Sequence, residues 1–284
     1  MNSPAAQPVR TAPVNVWGVI NTTQDSFSDG GRFDELPSAM AQARRLIADG
    51  ADVLDIGGES TRPGAEAVSE AREVDRVVPL IRAIRAESTI PISIDTMKPA
   101  VAHAAVEAGA TIWNDVTALR HAADSLGVAA ELGCDVVLMH MRGEPQTMQA
   151  APHYDDVVGE VAAFLQARAE AAMAAGVARE RIWLDPGIGF GKHMTRHNLP
   201  LLAGLDRVVA LGFPVLLGVS RKRFISALDS GEDRPPHERL GGSIAGALAG
   251  AAAGVAAVRV HDVRETVQAL VVWTAIAQAR PRQN

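Results

Sequence analysis

The sequence predicts an α/β fold, a single-domain (β/α)8 TIM barrel, on three observations. Short apolar runs of strand type alternate with longer amphipathic segments of helix type. There are eight such runs, and none shows the polar alternation of a sheet with one wet face, so both faces must be covered, as in a parallel sheet flanked by helices. Their C-terminal ends fall near Ile20, Gly57, Asp95, Asn114, His140, Asp185, Val219 and Val260, and the seven intervals between residues 20 and 260 average about 34 residues, the length of one β-α unit. An open doubly wound sheet has a similar period, and it is the count of eight that favours the barrel.

Residues 1–13 are rich in Pro, Ala and Gln without periodicity and read as a flexible or clamped tail, leaving 14–280 for the barrel. The first strand is VNVWGVI. A helix follows between Pro37 and Asp49, where Met40, Ala43, Leu46 and Ile47 recur at helical spacing and Gly50 suits a C-terminal cap. The runs ADVLDIG, IPISID, ATIWND, CDVVLMH, RIWLDPG, PVLLGVS and AAVRVHD supply strands two to eight, with further glycine caps at Gly109 and Gly176 between them. Gly241 to Val258 carries no charge over 18 residues, the lower length limit for a membrane span. Its Ala and Gly have weak insertion energies and Arg259 follows at once, so it reads as a close-packed helix running into a strand.

The composition, 48% hydrophobic and 21% charged over 284 residues, suits a globular chain with a sizeable core. A net charge of −6 argues against a protein that coats nucleic acid. The single cysteine, Cys134, lies in an apolar run and cannot form an internal disulfide, and the N-terminus MNSPAAQPVR has no apolar h-region, which together point to the cytoplasm.

A barrel builds its active site from the loops at the C-terminal ends of its strands. Here nearly every such end is polar: Asn21 to Gly31 after strand one, Gly57-Gly58-Glu59-Ser60-Thr61-Arg62-Pro63-Gly64 after strand two, then Asp95-Thr96, Asn114-Asp115, His140, Asp185-Pro186-Gly187, Ser220-Arg221-Lys222-Arg223 and Arg259-Val260-His261-Asp262. Any one of these taken alone reads more simply as a turn or helix cap. Eight together point to a site. Asp95 and Asp185 end apolar strands, where a carboxylate needs donors, and with Asn114 between them they could grip the donor edge of a flat amino-substituted heterocycle. The chain holds three lysines, Lys98, Lys192 and Lys222, against 24 arginines, and Lys192 and Lys222 fall in the candidate loops. Arg62, Arg259 and His261 add cationic donors, and strands seven and eight of a barrel commonly bind phosphate, so a phosphorylated substrate is expected. No Ser sits in a nucleophile elbow, and the His193/His197 pair lacks the metalloprotease Glu. Magnesium held by Asn21 with substrate phosphate oxygens suits the residues better than zinc.

At these same positions the chain resembles the dihydropteroate synthase family of pterin-binding enzymes. The resemblance runs from about Val14 to Gln278 through GVINTTQDSFSDGGRF, GADVLDIGGESTRPGA, PISIDT, WNDV, LMHMRGEPQTMQ, DPGIGFGK, SRKRF and VRVHDV, eight motifs in order. It implies a barrel enzyme that condenses a hydroxymethyl-dihydropterin pyrophosphate with p-aminobenzoate. By resemblance, Asp95, Asn114, Asp185 and Lys222 bind the pterin, with Asp95, Asp185 and Lys222 the catalytic set; Asn21 ligates magnesium; and Thr61, Arg259 and His261 meet the pyrophosphate. Phe27, Asp29, Arg62 and Pro63 on the first two loops, with Phe190, Ser220, Lys222 and Arg223, form the aminobenzoate pocket. The family commonly has Val and Pro where this chain has Thr22 and Gln24, so its first loop is expected to be more flexible before closure. Many members have Ser where this chain has Arg223, whose backbone N–H at a helix start could still receive a carboxylate. The pocket is expected to be completed only after the pterin substrate binds, so that a sulfonamide, as an aminobenzoate mimic, binds tightly only then. A homodimer with the small-residue surface Gly241–Gly254 close to or within its interface is also expected, because small residues allow close approach. A pterin-binding methyltransferase and a non-catalytic pterin-binding paralogue remain compatible with the pterin contacts, and pyrophosphate release separates them from a synthase.

Overall fold

A computed structural model of the chain describes residues 14–22, 32–60, 67–143, 147–229 and 232–279. Its strands are β1 (Asn15–Asn21), β2 (Val53–Gly57), β3 (Ile92–Asp95), β4 (Ile112–Asp115), β5 (Asp135–Met139), β6 (Ile182–Asp185), β7 (Leu216–Leu217) and β8 (Ala257–Val260). All pairings are parallel, in the order β6-β5-β4-β3-β2-β1-β8-β7. A single bridge, Leu184 to Val215, joins β6 to β7 and brings the sheet round into a barrel. The strand expected over residues 214–220 is thus reduced to a two-residue ladder. One face of the run meets β6 at that bridge alone, and from Gly218 the chain turns into the site beside Asp185.

Helices α1 (Arg32–Ala48), α2 (Glu70–Glu87), α3 (Pro99–Glu107), α4 (Ser125–Leu132), α5 (Val157–Ala174), α6 (Asn198–Ala203), α7 (Leu205–Val209), α8 (Arg223–Asp229), α9 (Leu240–Ala253) and α10 (Val263–Gln278) follow the strands. Gly50, Gly109 and Gly176 end their helices with φ of 97°, 116° and 108°, a left-handed backbone that suits glycine. The uncharged stretch is α9 followed by β8. Added Cβ atoms on Gly242, Gly246 and Gly250 would collide with Ile225, Val219 and Leu217, so its small residues let the helix lie close on β7 and α8. These three glycines of the stretch expected near a dimer contact thus pack inside the chain, while Gly241, Ala245 and Ala249 of the same stretch are exposed. Among the described residues no helix is long and apolar enough to cross a membrane.

Side chains alternate between the helix-facing core and the barrel interior. Trp17, Val53, Ile112, Val137, Leu216 and Ala257 cluster with Trp183 inside the barrel, with Trp17 and Trp183 rings 5.4 Å apart. Two residues further along each of those strands, on the same face, stand Val19, Asp55, Asn114, Met139, Asp185, Gly218 and Arg259. The interior therefore changes from an apolar floor to a polar mouth within one pleat. Cys134 is buried, and burial pushes its thiol up to about 11, which keeps it unreactive.

Candidate active site

The register aligns the mouth: Asn21 lies beside Gly57, Gly57 beside Asp95, Asp95 beside Asn114, and Met139 beside Asp185. Asp95, Asn114, Asp185 and Arg259, predicted from separate strand ends, are thus brought together. The sequence reading missed their keystone, Asp55. It sits within the apolar run of β2, fully buried, where it accepts from Arg259 Nε at 2.5 Å and Asn114 Nδ2 at 3.3 Å. Arg259 Nη2 donates to Asp95 Oδ2 at 2.6 Å, so one guanidinium clamps two carboxylates. Its Nη1 takes part in neither bond.

Burial, with the carboxylates of Asp55, Glu73 and Asp115 nearby, pushes Asp95 up to about 7 against the pull of Arg259. Arg259 itself is raised despite burial, since Asp55 and Asp95 both favour its charge. Asp185 is also raised by burial, against an accepted hydrogen bond from Gly187 N at 2.6 Å and the charges of Lys222, Arg259 and Lys192. A ligand's N–H donors need Asp95 ionised, because its protonated form presents a competing donor. The kcat/KM for a substrate that presents N–H donors to Asp95 is therefore expected to rise with pH through about 7, since this quantity reports the free protein's ionisations. An acid limb near the ordinary carboxyl range, about 4, would show that Asp95 does not control it.

Neighbouring polar residues divide by the face they take. Asn114 points into the mouth, whereas Asp115 accepts from Thr117 N, Thr117 Oγ1 and Leu119 N at 2.7–2.8 Å and holds Ala118 and Leu119 left-handed at φ 55° and 58°. Burial pushes Asp115 up to about 6, and its role is to shape the turn. Val116, Met139, Met141 and Met148, with Met97 and Phe190, form an apolar wall beside the carboxylates. Apart from Phe190 that wall was also missed, because methionines spread over β5 and the loops after β3 and β5 leave no local pattern. Unbranched, polarisable side chains suit the face of a flat ring.

On the opposite side His261 N donates to Ser220 Oγ at 3.2 Å, and Ser220 Oγ lies 3.0 Å from His261 Nδ1. The hydroxyl's hydrogen is thus available to Nδ1, leaving the ring proton on Nε2. Burial, with Arg259 and Arg221 close by, holds His261 down to about 3, so the expected cationic donor is a neutral imidazole in the ligand-free site. Between Ser220 and Lys222, Arg221 is left-handed at φ 59°. Its N–H donates to Ser243 Oγ, its carbonyl accepts from Arg239, both at 2.8 Å, and its guanidinium pairs twice with Asp262. Those bonds offset a backbone cost of about 1–3 kcal/mol. Lys222 Nζ lies 4.3 Å above the Phe190 ring. Arg223 begins α8 as expected, but its side chain turns out to Asp233 at 3.0 Å. Phe27, Asp29, Thr61, Arg62 and Pro63 lie outside the described residues, as does Gln24. Thr22 is buried, with its N–H and hydroxyl both donating to Gly57 O. Lys98, the lysine outside the candidate loops, is buried against Glu59 and Glu73 at 3.0 and 2.7 Å.

Asn21 ends β1 half-buried at the rim. No group of three His, Cys, Asp or Glu among the described residues could hold a metal alone. His193 and His197 each accept backbone N–H groups through Nδ1. One carboxamide oxygen at a rim suits magnesium, which keeps most of its shell for water and substrate phosphate.

The family model for pterin-binding enzymes matches residues 17–261, every strand from within β1 to β8. This chain belongs to the pterin-binding enzyme family. A dihydropteroate synthase of Synechocystis is 46% identical over 92% of this chain and 89% of its own. A dihydropteroate synthase of Xanthomonas albilineans solved with 4-aminobenzoic acid is 50% identical, with TM-score 0.87 and 94% of both chains covered. A structure of that organism's enzyme with 7,8-dihydropteroate is 47% identical, with TM-score 0.84 over 94% and 95%.

Proposed function

We infer that this protein is a dihydropteroate synthase, condensing 6-hydroxymethyl-7,8-dihydropterin pyrophosphate with p-aminobenzoate to give 7,8-dihydropteroate and pyrophosphate in folate biosynthesis. The observation that carries this is the inward constellation of Asp95, Asn114 and Asp185 beside the Met-rich wall, with Arg259 on β8 and His261 just after it. Acceptors on one side read the amino-heterocycle edge, the wall covers its face, and donors opposite receive the anion.

The chemistry follows charge. As the C–O bond to pyrophosphate breaks, negative charge grows on the leaving group, and Arg259 Nη1 and His261 Nε2–H are the donors directed at it. Magnesium, when held by Asn21 and the phosphate oxygens, supplies further neutralisation of that charge. The carbon left behind becomes cationic and conjugated with the pterin, and the Asp95 and Asp185 carboxylates oppose that charge. The arylamine then attacks the carbon and loses its proton. Phe190, Lys222, Ser220 and the backbone N–H at the start of α8 hold the aminobenzoate, with Lys222 also at the pterin; the first two loops complete the pocket and exclude water.

Magnesium dependence, the residue roles, a homodimer and a cytoplasmic location belong to this reading. The location is supported by the single buried thiol, and the dimer by Val272 and Ile276 of α10, which are 53% and 60% exposed. The decisive test is a coupled assay of purified protein with magnesium and both substrates. Pyrophosphate released in step with dihydropteroate is the expected result. No release would leave a pterin-binding protein without this activity, and methyl transfer without pyrophosphate would favour the methyltransferase class.

A further inference from the structure

Lys192 lies inside the protein at 1% exposure, and its Nζ is surrounded by acceptors. His140 Nδ1 is 2.8 Å away, Gly187 O 2.9 Å, Phe190 O 3.1 Å and His140 O 3.3 Å. The loop after β6 is shaped around this point. Gly187, Gly189 and Gly191 are all left-handed, at φ 64°, 86° and 60°. A Cβ on Gly187 would overlap the His140 carbonyl, and one on Gly191 would overlap that of Arg142. Glycine there is a requirement of close backbone approach as well as of φ. The curl turns the carbonyls of Gly187 and Phe190 inward onto Nζ; Gly187 O also accepts from Phe190 N at 3.1 Å, and it is the Phe190 carbonyl that relies on Nζ for its donor.

The surrounding charges fit this arrangement. Burial, with Lys192 adjacent, holds His140 down to about 2, so its Nδ1 is available as an acceptor. Burial also pulls Lys192 down, against the nearby Asp185 carboxylate, while Lys222 and Arg142 add to the lowering. In either protonation state the amine keeps at least two N–H donors. Tyr154 OH donates to Gly191 O at 2.9 Å, and Gly189 N donates to Asn198 Oδ1 at 2.9 Å, fixing the outer rim of the same loop. Between these anchors the Phe190 ring projects beneath Lys222 Nζ.

We propose that Lys192 is a positioning residue for the second substrate: by gathering the carbonyls of His140, Gly187 and Phe190 on Nζ, it folds the glycine loop that sets the Phe190 ring under Lys222 and so builds the aminobenzoate side of the site. The inference rests on the assignment of Phe190 and Lys222 to aminobenzoate. Asp95, Asn114 and Asp185 are carried by strands whose pairing does not involve this loop, which meets the pterin side only through Phe190 at the edge of the apolar wall and the Gly187 N–H on Asp185, so the smaller effect is expected there.

The test is steady-state kinetics of the full chain carrying Lys192→Met, with Phe190→Ala and the double variant. Lys192→Met is expected to raise the aminobenzoate KM by about tenfold or more while the pterin pyrophosphate KM changes less than about threefold. Because Lys192 acts through Phe190, the double variant is expected to be no worse for aminobenzoate than Phe190→Ala alone. Equal rises in both KM values, a fall in kcat alone, an unchanged aminobenzoate KM, or losses that multiply in the double variant would each overturn the proposal. If Lys192→Met is not recovered folded, Lys192→Gln, which keeps two N–H donors on a shorter chain, is held to the same criteria. A wild-type protein that forms no product refutes the reaction; an active one with unchanged KM in the variant refutes the role of Lys192.

Discussion

Replacing Arg259 by methionine is expected to destabilise the protein by about 3–5 kcal/mol, the cost of leaving a buried charge without its partner. Two carboxylates share this one guanidinium, at 2.5 and 2.6 Å, and Asp55 is fully buried while the Arg259 side chain is 22% exposed. Without it, Asp55 and Asp95 lose their shared cation, and among the described residues Asn114 Nδ2, on Asp55, is the side-chain donor that remains to them. Methionine keeps most of the stem's volume, so the loss is electrostatic and does not come from a cavity. The sign with pH is fixed. A carboxyl whose folded pKa is raised binds its proton more strongly when folded, so stability falls as pH rises from its unfolded value through its folded one. Asp95 already stands at about 7, and removing Arg259 takes away the main group that lowers it. The deficit, measured by urea denaturation, should therefore be larger at about pH 8 than at about pH 5. Arg259→Lys, which keeps the charge but loses the two-pronged fork, should lie between. A loss under about 1 kcal/mol for the methionine variant at the higher pH would mean that solvent or a rearranged partner replaces the clamp.

The same clamp explains how far the site could be read in the amino-acid sequence. Strand-ending polar residues such as Asp95, Asn114 and Asp185 were legible because an acidic or amide group closing an apolar run has no turn to explain it on both sides. Asp55 was hidden because it interrupts VLDIG from within, and only the two-residue alternation from Val53, a floor residue, reveals that it shares the interior face. The neutral state of His261 was not legible, since it depends on burial beside Arg259 and Arg221, which meet only in space. The Gly241–Gly254 stripe was legible as close packing but not as to its partner. Composition cannot distinguish a neighbouring chain from Ile225, Val219 and Leu217 of the same one. The expected eighth closure, β6 to β7, is a single bridge because strand propensity over residues 214–220 gave way to the demands of the site at Gly218.

Asp185→Asn is expected to lower kcat/KM by roughly 30- to 900-fold, equivalent to about 2–4 kcal/mol of transition-state stabilisation, while leaving the fold intact. The asparagine Oδ1 can still accept from Gly187 N, now at 2.6 Å, so the turn after β6 keeps its anchor. The other carboxylate oxygen is what changes, from an acceptor carrying charge to an N–H donor. On the ligand side it would meet the donor edge of the pterin, and beside it stand Lys222, Arg259 and Lys192, which gain a repelling neighbour in place of a carboxylate. The loss grows along the reaction, because positive charge on the pterin is greatest as pyrophosphate departs and a neutral amide no longer opposes it. A larger fall in kcat than rise in the pterin KM is therefore the expected split, with thermal unfolding close to wild type. Asp95 cannot compensate, since its carboxylate is already shared with Arg259 and burial favours its protonated form. Turnover within about threefold of wild type would remove Asp185 from the mechanism and leave it as the anchor of the Gly187 turn alone.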